Sequence, residues 1–235
     1  MRTSNKILLG TLIFTILILT AVHIALFAQY KSGNIEVIKD FRRNQFEEHV
    51  LNNVHYILMN DVEEMTVTPS DTLSLSIRKS DEDRVNYRVV GDTLLIQLDS
   101  ADKVAQERDY LPLSLRVPQT IPVEARNSSL KFRGGFDSAT AISQTFILKQ
   151  SALAVDADER YPSQYWSRLI IQASEHSNIR LSFLSFIDSA AVTLSNSNLL
   201  DDGATFEKLN LVADDESRVQ LLLKNLRKLN LTPKQ

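Results

Sequence analysis

The chain has 235 residues, 43% of them hydrophobic, a net charge of −3 and no cysteine. Its hydrophobic content is sufficient for a buried core and excludes an intrinsically disordered chain. The interspersed charges leave no broad basic surface, so we expect no nucleic-acid partner. The lack of cysteine excludes disulfides, thiolate metal sites and thiol catalysis.

The first predicted element is an apolar helix within residues 1–30. The segment from Ile7 to Ala28 has no formal charge, and its roughly 33 Å of helix would span a bilayer. A cleaved signal peptide and a buried core helix are the alternatives, but a cleavage site needs small residues, whereas Leu26 and Phe27 precede Ala28. We therefore predict a single-pass signal anchor. Flanking charges do not settle its orientation, but the short N-terminal tail favours an extracytoplasmic C-terminal domain.

Residues 31–60 are predicted to be a juxtamembrane segment. Phe46, Val50 and Val54 fit a helical stripe, which would give a helix from Phe41 to Met59. The run from Val54 to Met59 could equally begin the first strand.

Residues 61–235 are predicted to be a single β domain that begins with a β-meander. Alternating apolar residues predict its strands, and Gly91-Asp92 predicts a turn between two of them. These strands are Val62–Val67, Leu73–Ile77, Val85–Val89, Leu94–Leu98 and Leu113–Val117.

A repeat follows the meander. The letters KLNL occur at Lys208–Leu211 and again at Lys228–Leu231. A serine followed by alternating apolar residues recurs at intervals of 23, 26, 20 and 20 residues, and a second short alternating run, such as Leu209–Leu211, precedes it. The serines are Ser128, Ser151, Ser177, Ser197 and Ser217. Period-two alternation within a period near 20 is typical of a β-solenoid.

A solenoid explains this repeat physically. One coil cannot bury its own apolar residues, but coils stacked about 4.8 Å apart close a continuous interior. Serine suits the corners, where it can bond the local backbone and stack from coil to coil. We therefore predict an all-β, right-handed β-helix-like solenoid, with the second KLNL in a final partial coil. An antiparallel sandwich with evenly spaced hairpins is the alternative, and Asp201, at an inward position, counts against the alignment.

The longest coil, between Ser151 and Ser177, carries its additional length in residues 158–166, which include the only tryptophan. Insertions in solenoids often form the binding face, and aromatic residues with arginine are frequent anchors for partners. The predicted partner-binding residues are Arg160, Tyr161, Tyr165 and Trp166. The alternative is that Tyr165 and Trp166 only cover an open flank of the stack.

No catalytic site, metal site or cofactor is predicted. His49 and His55 are six residues apart, which fits neither a helix face nor a strand face. The enzyme alternative is a glycosidase or lyase on a β-helix, which needs two carboxylates at a fixed separation. The candidate acids are favoured at turns for structural reasons alone. They are Asp156, Asp158, Asp201, Asp202, Asp214, Asp215 and Glu216.

The meander and the coils together resemble a known family. The stretch Val85–Ile96 reads V-x-Y-x-V-x-G-D-x-L-x-I, and Leu115–Pro118 reads L-x-V-P. With the serine-rich coils, these motifs resemble the head GIN domain family of auto-transporter adhesin heads. The resemblance implies an exported protein of Gram-negative bacteria with a right-handed β-helix-like fold and no established reaction. The chain departs from that family because its coils contain few glycines and because its N-terminal helix does not have the pattern of a cleaved signal peptide.

These inferences predict a non-catalytic binding or scaffolding module, with the helix in the bacterial inner membrane and the solenoid in the periplasm. Its partner would be an envelope protein or glycan.

The triplet Asp-Ser/Thr followed by an alanine or leucine recurs along the chain. It resembles the acceptor of an O-glycosylation system of some Gram-negative bacteria, although Asp followed by Ser or Thr is also good turn chemistry. The acceptors would be Thr72, Thr93, Ser100, Ser138 and Ser189.

Overall fold

The structure is a computed structural model of the full chain. It describes residues 3–31, 45–98, 113–133, 142–155, 164–182 and 185–233. The chain forms two compact units, Met1–Gln45 and Phe46–Gln235. The second unit therefore begins before residue 61, where the sequence predicted the β domain to start.

The first unit contains one helix, α1 (Thr3–Lys31). Within it, Gly10–Gln29 has a mean hydropathy of 2.4 and is long and apolar enough to cross a membrane. None of this span is buried. A signal sequence would have the same length and composition.

The second unit consists almost entirely of strands. A 3-10 helix covers Lys79–Arg84, and a short α-helix, α2, covers Leu223–Leu226. The strands are β1 (Phe46–Val50), β2 (Tyr56–Asn60), β3 (Met65–Pro69), β4 (Ser74–Arg78), β5 (Val85–Val90), β6 (Thr93–Leu98), β7 (Leu113–Val117), β8 (Val123–Arg126), β9 (Ser129–Phe132), β10 (Ile142–Lys149), β11 (Ala152–Val155), β12 (Gln164–Ser174), β13 (Asn178–Ser182), β14 (Ser185–Leu194), β15 (Asn198–Asp202), β16 (Thr205–Ala213), β17 (Arg218–Gln220) and β18 (Leu229–Pro233).

Two nine-stranded sheets face each other in the described part of this unit. One has the order β1-β4-β7-β3-β9-β11-β13-β15-β17, and the other has the order β18-β16-β14-β12-β10-β8-β2-β6-β5. From β8 onward, each coil gives one strand to each sheet and pairs in parallel with the next coil. Parallel pairing of this kind confirms the predicted all-β solenoid and contradicts the antiparallel sandwich.

The predicted corners form a ladder of serines. The backbone N–H of Ser128 donates to Ser151 Oγ at 3.1 Å, and that of Ser151 donates to Ser177 Oγ at 3.2 Å. Each of these hydroxyls also donates to a backbone carbonyl of its own corner. The same bond joins Ser197 N–H to Ser217 Oγ at 3.2 Å. The ladder confirms the predicted register of the repeat.

A residue with positive φ precedes most of these serines. Asn127, Gln150, His176 and Asn196 have φ between 47° and 66°, a region that asparagine tolerates better than most residues. This conformation turns the chain sharply from one sheet to the other, so the serine hydroxyl points along the stack.

The two KLNL copies pair with each other in register. Leu209, Asn210 and Leu211 of β16 pair in parallel with Leu229, Asn230 and Leu231 of β18. The Asn230 side-chain amide donates to Asn210 Oδ1 at 3.3 Å. The second copy therefore forms a last strand on the stack, as predicted.

The stack order differs from the chain order at the N-terminal end. β2 pairs in parallel with both β6 and β8, and β3 pairs with both β7 and β9. The coil β2–β3 therefore lies between β6–β7 and β8–β9. Beyond it, β5 pairs antiparallel to β6, β4 to β7, and β1 to β4. Of the strands predicted to form a meander, β5 and β6 form an antiparallel hairpin with its turn at Gly91-Asp92. The predicted strands Val62–Val67 and Leu113–Val117 correspond to β3 and β7, which pair in parallel as coil strands.

Strands β1 and β2 lie in the segment for which the sequence predicted either a helix or the beginning of the first strand. The helix is wrong for residues 46–50 and 56–60, because β1 pairs with β4 and β2 lies in the middle of a sheet. The apolar residues Ile57 and Met59 point into the core with the period of a strand.

Candidate functional site

An aromatic pair lies on the outer face of the sheet that contains β12 and β14. Tyr165 and Phe186 are register partners, and their rings stack with centroids 5.2 Å apart and an interplanar angle of 15°. Their neighbours Trp166 and Ile187 point into the core. Phe186 is 36% exposed. The pair therefore presents a flat apolar surface to the solvent.

The predicted partner-binding residues divide between surface and core. Tyr165 belongs to the exposed pair, whereas Trp166 is only 1% exposed and packs on Phe132, with ring centroids 4.6 Å apart. The Trp166 indole is therefore a core side chain and offers no surface to a partner, which corrects that part of the prediction. Arg160 and Tyr161 lie outside the described residues.

Strand alternation places Tyr165 and Trp166 on opposite faces of β12, and a β-bulge follows directly after Trp166. The register of β10 and β12 shifts between Ile142 and Ser143, because Ile142 pairs with Trp166 while Ser143 pairs with Arg168. Ser167 is the additional residue, and its hydroxyl donates to the Ile142 carbonyl at 3.0 Å. A bulge bends a strand and redirects its side chains.

The same outer face carries a shallow groove of about 410 Å³. It is lined by Ile147, Lys149, Gln172 and Thr193 among others. A second, more polar groove of about 250 Å³ follows the serine corner and is lined by Asn127, Gln150 and His176 among others. Both grooves run across several coils, as expected for the surface of a solenoid.

The most perturbed ionisable groups in the described residues belong to a network around Glu124. This buried carboxylate accepts hydrogen bonds from the Tyr56 hydroxyl and from Arg126 Nε, the latter at 2.7 Å, and Lys149 Nζ lies 3.2 Å away. Burial and the bond to Glu124 raise the pKa of Tyr56 to about 12. Burial acts to raise the pKa of Glu124, but the bonds from Tyr56, Arg126 and Lys149 outweigh it and lower that pKa.

Glu124 therefore remains charged and fully engaged. A general acid needs a raised pKa and a second carboxylate across a substrate. The Glu124 network has the opposite character, because its cations and its tyrosine stabilise the ionised form. We interpret it as a structural ion cluster that joins β2, β8 and β10.

The other acids named for the enzyme alternative have structural partners where the structure describes them. Asp201 is buried and accepts the side-chain amide of Asn225 at 2.6 Å. Asp202 pairs with Arg180. Asp214 accepts the Ser195 hydroxyl at 2.8 Å. Asp215 and Glu216 are exposed near the last serine corner, and Asp156 and Asp158 lie outside the described residues.

The predicted glycosylation sites that the structure describes are accessible to differing degrees. Thr72 is exposed in the turn before β4, whereas Thr93 and Ser189 are half-buried in strands β6 and β14. The Thr93 hydroxyl donates to Asp92 Oδ1 at 3.3 Å, which is the turn chemistry of the alternative interpretation. Ser100 and Ser138 lie outside the described residues.

The structure also assembles a group that the sequence analysis missed. Glu47, His49 and Glu82 place one ligand atom each within 4.8 Å of one another. The spacing between the histidines gave no indication of this group. The alternation Glu-x-His in residues 47–49 was the available signal, but it has meaning only if this segment is a strand.

No family model matches the chain, and no curated protein is similar to it. Among solved structures, it is similar to two proteins described as a "putative adhesin". The one from Bacteroides fragilis is 10% identical with a TM-score of 0.44, over 74% of this chain and 78% of that chain. The one from Parabacteroides merdae is 10% identical with a TM-score of 0.43, over 74% and 79%.

A third similar structure is described as a "putative lipid binding protein" from Parabacteroides distasonis. It is 12% identical with a TM-score of 0.35, over 74% of this chain and 81% of that chain.

Proposed function

We propose that this chain is a non-catalytic binding or scaffolding module of the bacterial cell envelope. In this proposal, α1 is a retained single-pass anchor in the inner membrane of a Gram-negative bacterium. The solenoid lies in the periplasm, belongs to the head GIN domain family and holds an envelope protein or glycan.

The observation that carries the proposal is the outward-facing Tyr165–Phe186 pair, in which Phe186 is exposed and Tyr165 is half-buried. A stacked pair contributes only about 0.5–1.5 kcal/mol beyond its buried area, so folding has little need of it on an outer face. Aromatic rings are the side chains that most often anchor partners. Tyr165 also belongs to residues 158–166, which the sequence predicts to be the insertion of the longest coil.

The absence of catalysis is supported by the state of the carboxylates. In the described residues, Glu124, Asp201, Asp202 and Asp214 each hold structural partners. A glycosidase pair would instead have one carboxyl with a raised pKa and a second that faces the substrate.

Membrane anchoring is supported by the length and hydropathy of Gly10–Gln29 and by the bulky residues before Ala28, which do not suit signal cleavage. A reporter that is active only outside the cytoplasm, fused after Gln235, should be active in the membrane fraction. Activity in the soluble fraction instead would indicate a cleaved signal peptide. Activity of a cytoplasmic reporter would indicate the reverse orientation.

The binding surface can be tested with the full chain in detergent. The chain is immobilised and exposed to solubilised native envelope, and captured proteins and glycans are identified by mass spectrometry. Phe186→Ala should reduce capture at least tenfold. Leu200→Ala is the matched control, because Leu200 is also 36% exposed but lies in the opposite sheet. Equal capture by wild type and Phe186→Ala, or an equal loss in both variants, would contradict the proposal.

O-glycosylation at Thr72, Thr93, Ser100, Ser138 and Ser189 belongs to the same proposal. Sugars on these hydroxyls would keep neighbouring solenoids soluble and apart. Intact mass of the chain purified from its native envelope should exceed the bare polypeptide mass. A mass equal to that of the bare, uncleaved chain would contradict the modification.

A further inference from the structure

The N-terminal end of the solenoid holds a mixed cluster of one histidine and two glutamates. Glu47 and His49 alternate on β1 and therefore share one face of that strand. Glu82 comes from the 3-10 helix Lys79–Arg84, which leads from β4 to β5. One ligand atom of each residue lies within 4.8 Å of the other two.

The strand face that carries Glu47 and His49 is the face on the core side of β1, although the Glu47 side chain is exposed and His49 is half-buried. Glu47 and His49 pair across the antiparallel ladder with Ile77 and Leu75, and both partners are fully buried. Residues directly opposite each other in such a ladder point to the same side of the sheet. The two side chains therefore lie over the end of the apolar core.

His49 carries a buried nitrogen whose bonding capacity is not used. Its side chain is 19% exposed, and Nε2 lies 3.6 Å from Glu82 Oε1, which is too long for a hydrogen bond. Nε2 is inaccessible to solvent and has no hydrogen-bond partner. The other side of the imidazole contacts the Tyr87 ring, with centroids 5.1 Å apart. A buried polar atom without a partner is costly, so this arrangement requires an explanation.

The cluster also carries negative charge. Its two glutamates bring a charge of about −2 at neutral pH. Arg78, the last residue of β4, and Arg84 of the 3-10 helix lie 3.7 and 3.5 Å from the Asp81 carboxylate and pair with it. A divalent cation would neutralise the glutamates and give Nε2 a partner.

We propose that Glu47, His49 and Glu82 bind a divalent first-row transition-metal ion such as Zn²⁺. Imidazole favours these ions over Ca²⁺ and Mg²⁺, and carboxylates complete such sites. Metal–ligand bonds of about 2.0–2.2 Å require the three side chains to close by roughly 1 Å each, which rotation about the exposed glutamate side chains permits. Three protein ligands leave a further position for water.

Such an ion would fasten the end of the solenoid. It would join β1, the edge of one sheet, to the 3-10 helix that crosses to β5, the edge of the other sheet. A ligand that binds only the folded state stabilises it by mass action. Zn²⁺ at a hundred times its Kd should therefore raise the folding equilibrium constant about a hundredfold.

The test is a calorimetric titration of the full chain in detergent with ZnCl2, with thermal unfolding measured in parallel. Wild type should show one saturable site, and His49→Gln should weaken it tenfold or more. Glu82→Gln should also weaken it, and because Glu82 is 43% exposed this variant is expected to remain folded. His55→Gln, which alters an exposed histidine six residues away, should bind like wild type.

Two outcomes would overturn the proposal. One is the absence of saturable zinc binding by the folded wild-type chain. The other is equal affinity for Zn²⁺ in wild type, His49→Gln and Glu82→Gln. Selective loss in His49→Gln and Glu82→Gln, together with a zinc-dependent rise in wild-type Tm, would support it.

Discussion

At the N-terminal end of the solenoid, antiparallel strands and charged side chains cover the stack, whereas a short helix and a buried amide cover it at the C-terminal end. At the first end, β1 and β5 are the edges, and Glu47, His49 and Glu82 lie over the core. At the second end, α2 places Asn225 in the interior. A stack of parallel coils must be ended by atypical units, and this chain uses two different solutions.

The C-terminal solution depends on one polar side chain. The Asn225 amide donates to Asp201 Oδ2 at 2.6 Å and to the Ala204 carbonyl at 2.8 Å, and its Oδ1 accepts the Phe206 N–H at 3.3 Å. Leucines around the buried Asn225 side chain remain exposed, and Leu223 is 76% accessible.

The two ends differ in the side chains that they place beside their edge strands, and these side chains affect association with other strands. Charges over an edge discourage further strand pairing, whereas exposed leucines beside the edge strands β17 and β18 favour association. Both ends nevertheless expose apolar side chains, which are Val50, Val89 and Val90 on the N-terminal edge strands and Leu222, Leu223 and Leu226 at the C-terminal end. The N-terminal end differs in carrying the cluster of Glu47, His49 and Glu82 beside them.

The largest expected effect comes from removing the Asn225 side chain. Asn225→Ala should cost about 3–5 kcal/mol, because the buried Asp201 carboxylate would lose its amide partner. Chemical denaturation measures this change, and hydrogen exchange should show α2 and β18 opening first. Asn230→Ala is the control, since Asn230 is an exposed member of the asparagine ladder and its loss should cost less than about 1 kcal/mol. Equal losses of unfolding free energy in Asn225→Ala and Asn230→Ala would show that the Asn225 side chain does not stabilise this end.

A smaller effect is expected from the ion cluster near the N-terminal end. Tyr56→Phe removes the hydrogen bond to Glu124 and should cost about 1.5–3 kcal/mol at neutral pH. Tyr165→Phe, on the outer face, should change the free energy of unfolding by no more than about 0.5 kcal/mol.

The pH dependence of this cluster has a definite sign. Because the pKa of Tyr56 is raised from 10.0 to about 12, its contribution is complete below pH 10 and is lost as the pH rises toward 12. The difference between wild type and Tyr56→Phe should therefore vanish in that window. The pKa of Glu124 is lowered, so its contribution is present above the ordinary carboxyl range and is lost in acid. A difference that persists unchanged through pH 12 would contradict the assigned bond.

The smallest effect concerns an exposed pair at the N-terminal end. Glu48 accepts hydrogen bonds from Arg116 Nη1 at 2.8 Å and from the Ser74 hydroxyl at 2.7 Å. Glu48→Gln should cost about 0.2–1 kcal/mol, because solvent screens exposed ion pairs. Unfolding measured in about 0.1 M and 1 M salt should show the cost shrinking at the higher concentration. A cost above about 2 kcal/mol would mean that this edge is held more firmly than its exposure suggests.

The periodic part of the fold could be predicted because it is encoded locally. Each serine of the ladder sits beside its own alternating strand, so Ser151 and Ser177 reveal both the period and the register. Asp201 looked like an exception to the inward pattern. It is inward after all, as the register partner of Leu181, and its partner Asn225 lies 24 residues later, where the repeat gives no signal.

The candidate sites were harder to predict for the same reason. Tyr165 and Trp166 lie on opposite faces of β12, and which of the two faces the core depends on the phase of the strand, which a pattern of aromatic residues does not reveal. His49 meets Glu82 because β1 pairs with β4 and the 3-10 helix follows. Such a meeting depends on antiparallel pairing between distant strands, whose register no local repeat encodes.

The position of β2–β3 between β6–β7 and β8–β9 bears on how the chain acquires its shape. Ile57 has one strand partner at Leu94 and the other at Val123, so the earliest coil is completed only by segments made much later. Closing such long loops slows folding. During synthesis, β2 and β3 can pair with β6 and β7, but each would keep its other edge unpaired until β8 and β9, which end at Phe132, have left the ribosome. A chaperone that shields bare strand edges would therefore act on this coil first, and fragments that stop before β9 should be the ones most readily degraded.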